Sequence, residues 1–230
     1  MTIVIVIVPR LPPATDGVGD YSLLLAQELY RKFGVKTHFL VCDPDGESQT
    51  QIDGFLISQL AASTTSDLIR CLQNIDSQHV FLHYVGYGYQ KWGCPTWLIK
   101  GMIQWRSQSP NVQLTTMFHE LYALPGQKPW KHNFWNSSIQ KNLAEKIARL
   151  SDHTITSRQA YAETIDRFRL GLESKTPFFP VFSTVGEPQF VTPWEERSPH
   201  LVIFGQALNK RRAYEESSHS LESICIQFGI

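Results

Sequence analysis

The chain opens with Ile3-Val4-Ile5-Val6-Ile7-Val8, passes through a loop with three prolines, Pro9–Asp16, and then reads Gly17-Val18-Gly19-Asp20-Tyr21. An unbroken β-branched run of this kind predicts a strand buried on both faces, the habit of parallel sheets. Ser22–Phe33 follows, with Leu25, Leu29 and Phe33 at spacing four, broadened by Leu23, Leu24, Ala26 and Tyr30. That pattern predicts an amphipathic helix ended by Gly34. Val35–Cys42 predicts the next strand, stopped by Asp43-Pro44-Asp45-Gly46. A strand, a helix and a second strand in that order form a βαβ unit, and the rest of the chain extends it.

The alternation predicts strands over Gly54–Gln59, His79–Val85, Val112–Phe118 and His153–Thr156. It predicts helices over Ser66–Ile75, capped within Ser63–Ser66, and over Pro95–Ser107, Ser138–Leu150 and Arg158–Arg169. Such an order means α/β architecture, with a parallel sheet and right-handed crossovers. Near Thr176 the pattern changes, because Pro177, Pro180, Pro188, Pro193 and Pro199 crowd one stretch. Their density resists helix and predicts an extended linker. Leu201–Phe204 then reads as a new strand and Asn209–Phe228 as a helix. The expected organisation is a domain over 1–190 and, over 191–230, a linker with the incomplete start of a second domain. One βα unit cannot bury its own two faces, so 200–230 either opens a domain that is cut short or docks back on the first.

Composition narrows the function classes. Of 230 residues, 42% are apolar and 18% charged, which is globular rather than disordered or coiled-coil. Lys+Arg and Asp+Glu are both 21, for a net charge of 0, so no nucleic-acid partner is expected. The opening apolar run is too short for a secretory h-region or a membrane span. Cys42, Cys71, Cys94 and Cys225 form no C-x-x-C pair, and four scattered thiols without an export signal suit a reducing cytoplasm. No metal site is expected.

In an open parallel sheet, ligands bind outside the carboxyl ends of the strands. That rule selects Asp16–Tyr21, Asp43, Gly86–Tyr89, His119 with Glu120, and Ser157 with Arg158. Gly17 and Gly19 open a helix, where missing side chains and free N–H groups favour an anion; a glycine turn that binds nothing is the plainer reading. Gly17-x-Gly19-x-x-Ser22 with Asp43 also approaches the dinucleotide fingerprint. Against that, Ser22 replaces the third small residue, and eight residues separate strand from glycines. His119 suits a hydrogen bond to a sugar hydroxyl or phosphate, or acid–base work near neutral pH; a structural histidine is the alternative. A zinc-protease reading fails, because Ala123 stands where the second histidine is needed. His83, inside an apolar strand, reads as a core histidine. Tyr84, Tyr87, Tyr89, Trp92 and Trp97 make an aromatic loop that either stacks on sugars or packs as a rim.

The motifs taken in order resemble a family. Pro13–Tyr21 ahead of an amphipathic helix looks like the first loop of retaining, glycogen-synthase-like glycosyltransferases of the GT-B fold. His83–Tyr89 with Gly93-Cys94-Pro95 resembles a segment common in bacterial members, Phe118–Tyr122 their histidine-bearing strand end, and Pro180–Pro188 the close of their N-terminal domain. The resemblance covers about residues 3–205. It implies a Rossmann-like acceptor-side domain flanked by helices, facing a second, donor-binding domain. It implies that Gly17 and Gly19 approach the donor's diphosphate or sugar, and that His119 contacts the sugar with Asp20 beside donor or acceptor. Arg158 is a phosphate-binding candidate, and Tyr87, Tyr89 and Glu120 are acceptor-side candidates. The nucleotide sugar is a co-substrate, and no resident cofactor is implied.

One departure is large: the paired-glutamate motif of the donor domain has no counterpart after Phe204, since Glu215, Glu216 and Glu222 fall in that domain's first helix. The expectation is therefore a shortened chain, a split enzyme whose donor half is another chain, or a non-catalytic partner subunit. A nucleotide-dependent oxidoreductase remains the rival. Self-association through 200–230, and contact with a membrane surface where the acceptor is a lipid, complete the partners expected.

Overall fold

The computed structural model describes residues 2–123, 132–171, 175–186, 188–198 and 207–228. By contacts the chain divides into two units, Met1–Thr184 and Val185–Ile230. The first is an α/β unit built on a seven-stranded sheet.

The strands are β1 (Ile3–Val8), β2 (Lys36–Val41), β3 (Gln51–Ile52), β4 (Phe55–Gln59), β5 (His79–Tyr84), β6 (Gln113–Phe118) and β7 (His153–Thr156). The helices of this unit are α1 (Gly17–Phe33), α2 (Thr65–Gln73), α3 (Gly86–Tyr89), α4 (Thr96–Gln108), α5 (His132–Leu150) and α6 (Gln159–Phe168). The spatial order is β3-β4-β2-β1-β5-β6-β7. Among the described residues, only the β3–β4 pair is antiparallel. Without β3, the six parallel strands numbered along the chain lie 3-2-1-4-5-6, the Rossmann order, with its reversal between β1 and β5.

The opening run explains the sheet's two cores. Alternate side chains of β1 point to opposite faces. Ile5 and Ile7 join Leu68 and Leu72 of α2, Leu98, Ile99 and Met102 of α4, and Ile147 of α5. Val6 and Val8 meet Leu23 and Ala26 of α1 on the other side. Each fully buried Leu or Ile contributes about 1.5–3 kcal/mol relative to exposure, so both faces of β1 are held and its register cannot slip by one residue.

Local signals set the helix ends. Asp16 caps α1, accepting from the Val18 and Gly19 N–H groups at 2.9 and 3.0 Å. Gly34 ends it with φ 65°, a left-handed conformation that glycine adopts without penalty. Thr64 caps α2 through the Asp67 N–H, within the Ser63–Ser66 stretch expected. α5 begins six residues earlier than expected, at His132 rather than Ser138.

After α6 the chain returns to the sheet edge. Phe178 bridges to Thr156 in parallel, with the Phe179 N–H donating to the Thr156 carbonyl at 2.9 Å. In the second unit, a 3-10 turn at Trp194–Glu196 precedes α7 (Ala207–Phe228). α7 carries Arg211–Glu215 and Arg212–Glu216 pairs at 2.7 Å, spaced one helical turn apart on an exposed face. The strand expected over Leu201–Phe204 lies outside the described residues. Among the described residues, no helix is long and apolar enough to cross a membrane.

Candidate functional site

The site gathers at the carboxyl edge beside the strand-order reversal. β5 and β6 pair with His83 opposite Met117 and Tyr84 opposite Phe118. The ladder runs one step further, the His119 N–H donating to the Tyr84 carbonyl at 3.0 Å. Met117 and His119 lie two residues apart, so they share a face, and that face also carries His83. The two imidazoles meet, with Nδ1 of His83 2.9 Å from Nε2 of His119 and rings stacked at 23° with centroids 5.2 Å apart.

Tyr21, one turn into α1, joins this pair to the glycine segment. Its ring stands edge-on to His83 at 6.0 Å and to His119 at 5.6 Å. It stacks on Phe182 at 4.4 Å. Gly19 and His119 therefore occupy the same edge of the sheet, as the carboxyl-end rule required.

Burial sets the electrostatics. His83 has no exposed surface, and desolvation, then the neighbouring His119, hold its pKa well below the ordinary histidine value. His119 is pushed down to about 4 by burial, against an opposing pull from the Asp16 carboxylate. At pH 7 about one His119 in a thousand is then protonated, so the ring serves as a neutral hydrogen-bonding group rather than a general acid.

Beside the histidines lies an ionic clamp. Arg10 Nε donates to Asp43 at 2.7 Å, and Arg10 Nη1 lies 3.6 Å from Asp16. The Arg10–Asp43 side bounds a cavity of about 40 Å³, lined also by Pro12, Pro13 and Gln59. Asp43 is thus held by Arg10. It stands where a dinucleotide site would need a free carboxylate.

The other expected residues divide. Gly17 is exposed, and a Cβ there meets nothing. Gly19 is buried against the Arg10 carbonyl, so its missing side chain lets two backbones approach, while its N–H goes to Asp16. Asp20 is half-buried in the first turn of α1. Glu120 is exposed just past His119. Arg158 is exposed at the start of α6, its guanidinium 4.9 Å above the Tyr161 ring. Tyr87 is 43% exposed, and its hydroxyl accepts from Gln140 Nε2 at 3.1 Å.

Tyr89 requires correction. Expected to face an acceptor, it is buried, and its hydroxyl donates to the His83 carbonyl at 2.7 Å and the Ile7 carbonyl at 3.2 Å. The segment is a single helical turn rather than an open loop, which turns Tyr89 inward and leaves Tyr87 outward. Tyr89 ties β1 to β5 beneath the site.

Sequence reasoning put Asp16–Tyr21 and Asp43 on the rim but missed the contact of Tyr21 with the histidines and the clamp joining Asp16, Arg10 and Asp43; it also missed Gln140, which donates to the Trp92 carbonyl at 2.9 Å and so pins the aromatic segment to α5. One signal was available: Asp16 directly before a helical pattern is a capping residue. Among the described residues, no three His, Cys, Asp or Glu side chains group closely enough to hold a metal ion, and the four cysteines are unpaired with one another.

No protein-family model matches the chain, and no curated protein matches it. Solved structures of similar shape include a UDP-glucosyltransferase from Polygonum tinctorium, at 10% identity and TM-score 0.45, over 87% of this chain and 55% of that one. They also include the Bordetella bronchiseptica enzyme WbmH in complex with NAD+, at 10% identity and TM-score 0.43, over 68% and 55%. A third is a nucleoside-diphosphate-sugar epimerase from Staphylococcus aureus, at 11% identity and TM-score 0.41, over 69% and 50%. The match spans about half the length of each of these proteins.

Proposed function

We propose that this chain supplies the acceptor-side half of a retaining glycosyltransferase, with a nucleotide sugar as co-substrate and no resident cofactor. The observation that carries the reading is the meeting of the α1 start with His119, through Tyr21, at the carboxyl edge. The Pro13–Tyr21 and Phe118–Tyr122 motifs, far apart in sequence, thereby face one position.

In this reading the neutral His119 ring hydrogen-bonds a hydroxyl of the transferred sugar. The bond from the anomeric carbon to the leaving phosphate breaks while a bond to the acceptor oxygen forms on the same face. The acceptor's proton passes to the departing phosphate oxygen, so no protein base of high pKa is required. What the chain contributes is placement and fixed dipoles. Asp20 borders donor or acceptor, Gly17 the donor side, and Arg158 the phosphate. Tyr87 and Glu120, both exposed, take the acceptor side. Tight nucleotide binding belongs to a donor domain, in this protein's continuation or in a partner chain. The setting proposed is the cytoplasm.

The oxidoreductase alternative shares the strand order. One feature weighs against it: Asp43, where a dinucleotide's ribose would need a free carboxylate, is paired with Arg10. The Val18 and Gly19 amides taken by Asp16 are closed to a sugar donor's diphosphate as much as to a pyrophosphate.

The test is a two-dimensional NMR titration of the isotope-labelled chain with UDP-glucose, and separately with NAD(H). The reading expects weak binding of UDP-glucose that shifts the Gly17–Tyr21 and His119 amides, with His119→Ala removing the response while preserving the fold. Saturable low-micromolar NAD(H) binding at that edge would overturn it in favour of the oxidoreductase. Absence of any sugar-nucleotide response at His119 would leave a non-catalytic partner subunit.

A further inference from the structure

We propose that His83 is a positioning residue that holds His119 in the Nδ1–H tautomer, so that the histidine at the sheet edge presents a hydrogen-bond donor. The functional half of this inference rests on the glycosyltransferase reading; the tautomer itself does not.

The two neutral rings share one contact, Nδ1 of His83 to Nε2 of His119 at 2.9 Å, and a single proton occupies it. In one arrangement His119 donates from Nε2. His83 then accepts at Nδ1 and must carry its own proton on Nε2. In the other, His83 donates from Nδ1, His119 accepts at Nε2, and the His119 proton sits on Nδ1.

The surroundings of His83 separate the two. Its Nε2 is fully buried with no hydrogen-bond partner among the described residues. His83 borders a cavity of about 30 Å³ lined by the apolar Val4, Val6, Leu25, Leu29 and Phe81 and by the hydroxyl-bearing Ser22 and Thr37; the Ser22 hydroxyl donates to the Val18 carbonyl, and neither hydroxyl bonds Nε2. The first arrangement strands an N–H in this largely apolar setting. Orphaned buried N–H groups are rarer in folded proteins than under-satisfied acceptors. The second arrangement strands only a lone pair. It also places the His119 Nδ1–H away from the shared contact, where a sugar hydroxyl oxygen accepts it. The Tyr89 hydroxyl, donating to the His83 carbonyl at 2.7 Å, fixes the backbone from which the ring projects.

Side-chain 15N–1H correlation of the unliganded chain at neutral pH reads the tautomer of each imidazole directly. The expected result is a protonated Nδ1 and a bare Nε2 on His119. Substitution H83N keeps an amide donor near the Nδ1 position and should preserve this pattern. H83L removes the donor and should return His119 towards Nε2–H, the form favoured by free imidazole side chains in water. A wild-type His119 protonated at Nε2 overturns the inference, with no variant needed, and so does a His119 pattern identical in wild type, H83N and H83L. In the UDP-glucose titration, H83L should weaken binding about tenfold, the loss of one hydrogen bond of about 1.4 kcal/mol, while H83N stays near wild type. A wild-type Nδ1–H tautomer with no UDP-glucose response at His119 supports the positioning role and refutes the glycosyltransferase reading instead.

Discussion

Acidification should destabilise this protein through its paired histidines well before the carboxylates titrate. The folded pKa of His119 lies at about 4, below the unfolded value of 6.5. The unfolded chain therefore binds more protons between those values, and stability rises with pH across the window. The contribution is fully present above pH 6.5 and is lost as pH falls towards 4. The separation corresponds to about 3 kcal/mol in the limit, of which about 2 kcal/mol is lost between pH 7 and pH 5. His83 is depressed for the same reason and adds with the same sign, while Asp16 opposes by attracting a proton to His119. Urea unfolding at pH 7, 6 and 5 reads the effect, with the midpoint dropping by about 1 M over the range. His38 is lowered by burial too, so the informative quantity is wild type minus His119→Gln. The variant should lose about 2 kcal/mol less than wild type between pH 7 and pH 5. Parallel lines for the two proteins would refute the claim that His119 is held neutral by burial.

Three further substitutions discriminate between packing and ligand roles. Gly19→Ala drives a methyl group into the Arg10 carbonyl and should cost about 1–3 kcal/mol, whereas Gly17→Ala meets open space and should leave stability within about 1 kcal/mol of wild type; equal thermal shifts would contradict this assignment. Tyr89→Phe removes a buried hydroxyl that serves two carbonyls and should cost about 1–2 kcal/mol in urea unfolding. An unchanged midpoint, coupled to weakened ligand binding, would return Tyr89 to the acceptor side.

The elements most readable in the sequence were those whose pattern is local. Ile3–Val8 is β-branched throughout and Thr154–Thr156 likewise, and Gly34 marks a helix end by backbone conformation alone. β3 was not anticipated, because two residues paired antiparallel to β4 leave no periodic trace. The Gly86–Tyr89 turn hid behind glycines that ordinarily break helices, and with it the inward rotation of Tyr89. Individual rim positions were legible from the rule about strand ends. Their partnerships were not. The contact between His83 and His119 depends on β5 lying beside β6 in one register, a tertiary fact that no window of sequence contains. The same holds for Arg10 and Asp43, joined only because β1 and β2 are neighbours.

An imidazole kept uncharged by burial has a consequence for selectivity. A cation at the sheet edge would attract any phosphate, and dissolved ions would screen that attraction beyond about 10 Å at 0.1 M. The pair formed by His83 and His119 offers no such field. What it recognises must arrive with an oxygen at the right distance and angle, and its share of the affinity should be the same in dilute buffer and in concentrated salt.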